Sequence, residues 1–358
     1  MKRTLLAFSI VTAGLCAFGG ETERRLVAAR PYSFIESCDG GLPEVAKELK
    51  KNGITDVVCL FSDGPVAFFP SKVMAPAPEM SARGDTDLLT PMLAALHAEG
   101  IRLHAWMTIG RLNRSPKELT DRLIAEGRVA VGKDGHTLPG FLCREDPRNI
   151  EMYRAAAAEL MERGIDGIHI DYIRYSHWSD CYCERFKKLY AANGGKNLAD
   201  WPKGVDGNKG IDPVWMETRA EVINGIVKAM RDEVRRHPGV ELSASAFNYP
   251  STAKVLVGQD WPRWAREGWL DFVSVMDYTT DTEDLRRELL EEMPIRAAAS
   301  PKTKIYPCIA VTWSRGINTS KAVKEQIDLV RTYAPGGIGF FSWDRDTRGR
   351  IDTALREL

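Results

Sequence analysis

Eight apolar, β-branched segments recur along the chain with amphipathic stretches between them. That alternation limits the available folds more than any other feature. The segments are 31–37 (PYSFIES), 55–62, 101–109, 166–175 (DGIHIDYIRY), 240–247, 271–278, 303–313 and 337–344. Helical patterns occupy 41–53, 86–100, 149–164, 214–237, 261–268 and 320–334, and a further helical stretch precedes 303. Apolar strands alternating with amphipathic helices imply a parallel sheet covered by helices. Eight such units in 358 residues fit a single-domain (β/α)8 TIM barrel better than an open doubly wound sheet. No G-x-G-x-x-G follows a strand, so a dinucleotide fold would lack its phosphate cradle. The polar stretch 193–213 is expected as a long loop after the fourth strand, at the barrel end where active-site loops gather.

The first twenty residues have a different character. Lys2 and Arg3 precede an apolar run from Leu5 to Leu15, and Ala17 and Gly19 make a small-residue cleavage site. This is the layout of a secretory signal peptide, so 1–20 is expected to be removed and 21–358 to form the barrel. A lipid anchor at Cys16 is disfavoured because Leu15 precedes it, where a small residue is required. The expected location is therefore periplasmic or extracellular. No later stretch approaches the length of a stable membrane span. Lys plus Arg and Asp plus Glu both number 49, and without a basic block nucleic acid is not an expected partner. Beyond the leader lie Cys38, Cys59, Cys143, Cys181, Cys183 and Cys308. Cys181 and Cys183 are too close to bridge each other comfortably, and no CxxC or HxxxH spacing accompanies them, so a zinc site has weak support. Either could instead bridge to Cys143 or Cys38, and the sequence leaves the pairing open.

The polar residues inside the strands point to chemistry. Side chains alternate along a strand, so Gly167, His169 and Asp171 share one face while Ile168 and Ile170 take the other. With the isoleucines toward the helices, Asp171 points into the barrel near its C-terminal rim, where barrel enzymes hold reactive groups. The bland alternative ties Asp171 to Arg174 or to a backbone amide. On the third strand His104, Trp106 and Thr108 share a face, and Trp106 either stacks on a sugar or simply fills the barrel. Arg111 follows as a candidate ligand for carboxylate or hydroxyl groups, or as a solvated loop charge. Acids recur near strand ends at Glu36, Asp63, Asp260, Asp277 and Asp344. Glycosidic cleavage generally uses two carboxyl groups flanking the bond. Most of these acids must serve instead as caps or loop charges.

The chain resembles the glycosyl-hydrolase-like family 10 barrel proteins. The likeness rests on FFPSKVMAP, GIRLHAWM, CREDPRNIEMYR, GIDGIHIDYIRY, GQDWPRWAREGWLDFVSVMDY and GGIGFFSWD, in that order. It implies an exported barrel that hydrolyses glycosidic bonds of polysaccharides. By that resemblance Asp171, His104, Trp106, Asp260, Trp261 and Tyr278 fall on recurrent positions. Tyr172, Ser62 and Met276 depart from the family pattern, which often has an acid, an arginine and a glutamine there. A chitinase-like D-G-x-D-x-D-x-E pattern is not met, because its final acid is replaced by Ile173.

The resulting expectation is a glycoside hydrolase acting on a polysaccharide or cell-wall glycan. Asp171 is its nucleophile or base, with His169 beneath it as an orienting partner. Asp260 is the first choice of proton donor, ahead of Asp277 and Asp344. Glu36, Asp63, His104, Trp106, Asn248, Tyr278 and Trp343 are expected around the same cleft, with Arg111 and Arg174 in reach. No metal or organic cofactor is expected in the chemistry. The rival expectation is a carbohydrate-binding barrel without turnover.

Overall fold

The structure, a computed structural model, describes residues 23–177, 180–196, 198–205, 212–311 and 319–357. The expected signal peptide and Cys16 lie outside them. Eight parallel strands close on themselves: β1 (Arg24–Ala29), β2 (Asp56–Asp63), β3 (Arg102–Thr108), β4 (Gly167–Asp171), β5 (Glu241–Phe247), β6 (Phe272–Asp277), β7 (Lys304–Ala310) and β8 (Gly337–Phe341). Each pairs with its sequence neighbours, and β1 also pairs with β8, so the eight strands form a closed barrel, with two short strands, Val66–Ala67 and Ala75–Pro76, added beside the end of β2.

One helix per strand forms the outer layer: α1 (Gly41–Lys51), α2 (Leu89–Ala98), α3 (Pro147–Glu162), α4 (Pro213–Val234), α5 (Trp261–Arg266), α6 (Thr282–Ala298), α7 (Ser320–Tyr333) and α8 (Arg348–Arg356). This is a (β/α)8 barrel in a single domain. Several helix starts are written locally. Asp146 and Asp212 each precede a proline, and their side chains accept the N–H groups of Arg148 and Val214. The proline occupies a first-turn position whose N–H needs no partner, while the aspartate satisfies a free donor.

The first strand is not where the apolar pattern placed it. Pro31–Ile35 is a short helix opened by Pro31, and the strand is the preceding RRLVAA. A search for apolar runs passes over that segment because it begins with two arginines. Arg24 is accommodated because it plugs the N-terminal end of the barrel. Its guanidinium binds Asp56 and Glu241 and lies 4.5 Å over the ring of Phe272. His104, fully buried, completes this ionic floor through Asp56 at 2.8 Å and Arg24 at 3.2 Å. The floor also explains Gly167. A Cβ there would stand 2.0 Å from the His104 ring.

Above the floor, the inward face narrows the barrel into layers. His169 stacks on Phe272 and lies 2.8 Å from each of the Ser243 and Ser245 hydroxyls. The outward face is apolar. Ile168, Ile170, Val273, Val275 and Ile309 are all completely buried, each worth about 1.5–3 kcal/mol of transfer energy. The rim carries extra elements: a hairpin of Val129–Val131 with Thr137–Leu142 after β3, and helices Glu184–Ala192 after β4 and Pro250–Val257 after β5.

Candidate functional site

A cavity of about 430 Å³ opens above the His169 layer at the C-terminal end of the strands. Asp171, at the last position of β4, is the carboxylate that lines it among the described residues. Its two oxygens accept the Tyr172 N–H at 2.6 Å and the Trp106 indole N–H at 3.2 Å. Burial pushes its carboxyl above the usual range, while these donors and the charges of Arg174 and Arg111 pull the other way. Burial wins because the oxygens sit below the rim, away from bulk water.

The walls are aromatic on one side and cationic on the other. Tyr278 stacks on Phe341 with ring centroids 5.4 Å apart, and Phe341 meets Trp106 edge-on. Across from them Tyr172 lies between two guanidinium groups, Arg111 at 4.5 Å and Arg174 at 4.6 Å from its ring. Tyr172 takes a positive φ of 55°. That is a costly conformation for a bulky residue, and it turns the ring into the arginine pair. Arg30 is a third cavity-lining arginine. Burial, together with the neighbouring charges of Arg114 and Arg111, holds Arg30 below its ordinary value. Arg174 is likewise lowered, by burial first.

The structure thus brings together Asp171, Trp106, His169, Arg111, Arg174 and Tyr278. His169 does not touch Asp171 through a hydrogen bond. Both ring nitrogens are engaged by the serines of β5, and burial drops its pKa to about 3, so it is a neutral support beneath the cavity.

The other candidates lie elsewhere. His104 shares Trp106's face but sits two residues lower, in the ionic floor. Glu36 is exposed and pairs with Arg83, because its segment is helix rather than strand. Asp63 accepts from Thr108 and pairs with Arg114, which fixes the ends of β2 and β3. Asn248 donates to Glu288 on α6. Trp343 is fully buried, with its indole N–H on the Ser37 hydroxyl. Asp344 is spent on its own turn, accepting the N–H groups of Asp346 and Thr347.

The first-choice proton donor, Asp260, and the reserve Asp277 are also displaced. Asp260 does not line the cavity. It stands at the N-cap position of α5 without capping it, and its carboxylate pairs instead with Lys254 at 3.0 Å. Asp277 has the wrong parity. Phe272, Ser274 and Met276 of β6 line the cavity, so Asp277 faces the helix layer. There it is fully buried, and burial with the facing Glu292 and Glu288 pushes its carboxyl far up.

Strand parity, correctly phased, would have found several cavity residues that the sequence reading passed over. Ser245 and Phe247 alternate on β5, Ser274 and Met276 on β6, and Cys308 stands on β7. Arg30 was hidden by the misplaced first strand. Tyr172 follows a strand end and carries no pattern of its own.

The sequence model of the glycosyl hydrolase-like 10 family matches residues 43–311. The chain belongs to that family. The glycoside hydrolase domain of PgaB (BpsB) from Bordetella bronchiseptica has a similar structure, with a TM-score of 0.71 at 15% identity over 94% of this chain and 98% of that one. A β-galactosidase from Marinomonas ef1 gives 0.62 at 13% identity, over 93% of this chain and 59% of that one. The α-galactosidase TtGalA from Thermus thermophilus gives 0.51 at 12% identity, over 93% and 65%. At these identities the likeness is one of fold. No curated protein sequence matches the chain. Family and fold together make this a glycoside-hydrolase-type barrel.

Proposed function

We propose that this barrel is an exported glycoside hydrolase whose substrate is a polysaccharide or cell-wall glycan bearing negative charge. Asp171 would be the carboxyl that handles the proton at the glycosidic oxygen. The observation that carries this reading is the setting of Asp171, a buried carboxyl between an aromatic wall and three arginines at the C-terminal end of the barrel. A carboxyl raised by burial suits a general acid. It would give its proton to the leaving oxygen as the C–O bond breaks; a water molecule would add to the anomeric carbon and return a proton to the carboxylate, which the N–H groups of Tyr172 and Trp106 would hold in the interval. The aromatic surfaces of Trp106 and Tyr278 suit the apolar faces of sugar rings. Arg30, Arg111 and Arg174 suit carboxylate or sulfate substituents. The leader at 1–20 supports export.

A specific observation favours a second reading, a saccharide-binding barrel without turnover. The two-carboxylate mechanism needs a partner acid close to the bond, and among the described residues no second carboxylate lines the cavity.

A glycan panel separates the two. It should include neutral, uronate-containing, sulfated and amino-sugar polymers. The hydrolase reading expects turnover on an acidic member. Asp171→Asn should lower that turnover by about 10²–10⁴-fold, the usual worth of a general acid. Arg174→Ala should raise KM more than it lowers kcat. Saturable binding without turnover would assign the chain to the binding reading. Absence of both binding and turnover across the panel would overturn both.

A further inference from the structure

Beside the cavity, two rim segments that are distant in sequence bring three thiols and a carboxylate to one point. Cys143 and Glu145 lie between the rim hairpin and α3. Cys181 and Cys183 follow β4. Their Sγ and carboxylate oxygen atoms all fall within 4.8 Å of one another. The Sγ atoms of Cys143 and Cys183 are 3.6 Å apart, and Glu145 Oε2 is 3.1 Å from Cys143 Sγ and 3.7 Å from Cys183 Sγ. All three cysteines are buried.

The spacing fits a shared cation. A tetrahedral zinc centre with Zn–S bonds of about 2.3 Å has ligand–ligand edges of about 3.8 Å. A single disulfide would use two of the thiols and leave the third thiol and Glu145 outside the link. A soft divalent ion uses all four ligands at once, and three thiolates with one carboxylate favour zinc over magnesium or calcium.

The surroundings also suit thiolate ligands. Cys181 Sγ accepts the Val131 N–H at 3.2 Å, and Cys183 Sγ accepts the Phe186 N–H at 3.4 Å. Cys183 stands at the N-cap of the Glu184–Ala192 helix, where negative charge is favoured. The Tyr175 hydroxyl donates to the other Glu145 oxygen, the kind of supporting contact that orients a metal ligand.

We propose that Cys143, Glu145, Cys181 and Cys183 form a structural zinc site that clamps the loop after β3 to the loop after β4. The clamp bears on the cavity through Arg144. This residue lies between two of the ligands, and its guanidinium donates to the Arg174 carbonyl at 2.9 Å and the Leu142 carbonyl at 2.9 Å. Holding that arginine holds the strip of backbone that presents Tyr172 and Arg174 to the cavity. The ion has no role at the glycosidic bond, so this site stands or falls independently of the proposed hydrolase activity.

Metal content of the mature chain, purified under reductant and without chelator, tests the proposal. About one zinc per chain is expected. Replacing zinc with Co²⁺ should produce the visible bands of a tetrahedral centre and the near-ultraviolet bands of thiolate ligation. Cys183→Ala should lose the ion, while Cys38→Ser, remote from the cluster, should keep it. If Cys183→Ala does not fold, the cobalt spectrum of the unaltered chain decides alone. The proposal is overturned if the reduced, chelator-treated chain takes up no zinc at micromolar concentration. It is equally overturned if mass spectrometry of the freshly isolated protein finds a disulfide between any two of the three cysteines.

Discussion

Acid should destabilise this barrel through His169, by an amount that follows from the environment of the ring. An exposed histidine takes up its proton near pH 6.5. In the folded chain His169 does so only near pH 3, because the ring is buried over Phe272 and the charge of His104 opposes a second positive charge. Between these values the unfolded chain binds a proton that the folded chain does not, so stability falls as pH falls. The contribution is complete above about pH 6.5 and is lost toward pH 3. At 1.36 kcal/mol per pH unit, the loss is about 2 kcal/mol at pH 5 and about 3 kcal/mol at pH 4. Other groups titrate in this range, so the comparison must be with His169→Gln, which keeps a polar group between the serines and removes the ionisation. Urea unfolding of both proteins at pH 8, 7, 6, 5 and 4 gives the two stability curves. Their difference should be flat from pH 8 to 7 and then shift by about 2 kcal/mol against the histidine protein at pH 5. A difference that stays constant within about 0.5 kcal/mol down to pH 5 would refute the account of His169 as a neutral support.

Three substitutions test other placements. Asp260→Asn removes a partly exposed ion pair with Lys254 and should cost under about 1 kcal/mol in thermal unfolding; on an active glycan, turnover should stay within about threefold of the original, whereas a collapse would restore Asp260 as proton donor. Asp277→Asn replaces a buried carboxyl that faces Glu292. Its raised pKa makes the native carboxyl increasingly unfavourable as pH rises above its unfolded value, so the variant should gain relative stability between pH 5 and 8 in chemical denaturation. Gly167→Ala forces a methyl against the His104 ring at 2.0 Å and should cost at least about 2 kcal/mol, read as a lower urea midpoint.

The parts of this molecule that could be read from sequence were those governed by short periods. Alternation in DGIHID placed Asp171 and His169 inside the barrel and the isoleucines outside, as observed. The same rule puts Ser274, Met276 and Tyr278 on one face of β6 and Asp277 on the other, so Asp277 was decidable and its acidic setting was misleading. Depth along a strand is not periodic. His104 and Trp106 share a face, yet one belongs to the ionic floor and the other to the cavity. Partnership across the sequence has no local signal at all. Nothing near Asn248 marks Glu288, forty residues further on, as its hydrogen-bond partner. The first strand failed for a related reason, since the charge of Arg24 is tolerated only because Asp56 and Glu241 meet it from other strands.

That first strand has a consequence for how the chain acquires its shape. β1 is the element that joins β2 to β8, and its register with β8 pairs Arg24 with Gly337 and Ala28 with Phe341. The contact spans almost the whole described chain, so it belongs to the slow, non-local class of folding events. Until it forms, β2 and β8 each present an unpaired edge, and such edges recruit other chains. The barrel cannot close while its last strand is still being synthesised, and β1 must wait unpaired on that side. Shortening the chain from its N-terminal side therefore has a strict limit. A cut before Glu23 leaves the closing strand whole, while a cut a few residues later would take out the seam and leave an open sheet prone to aggregation.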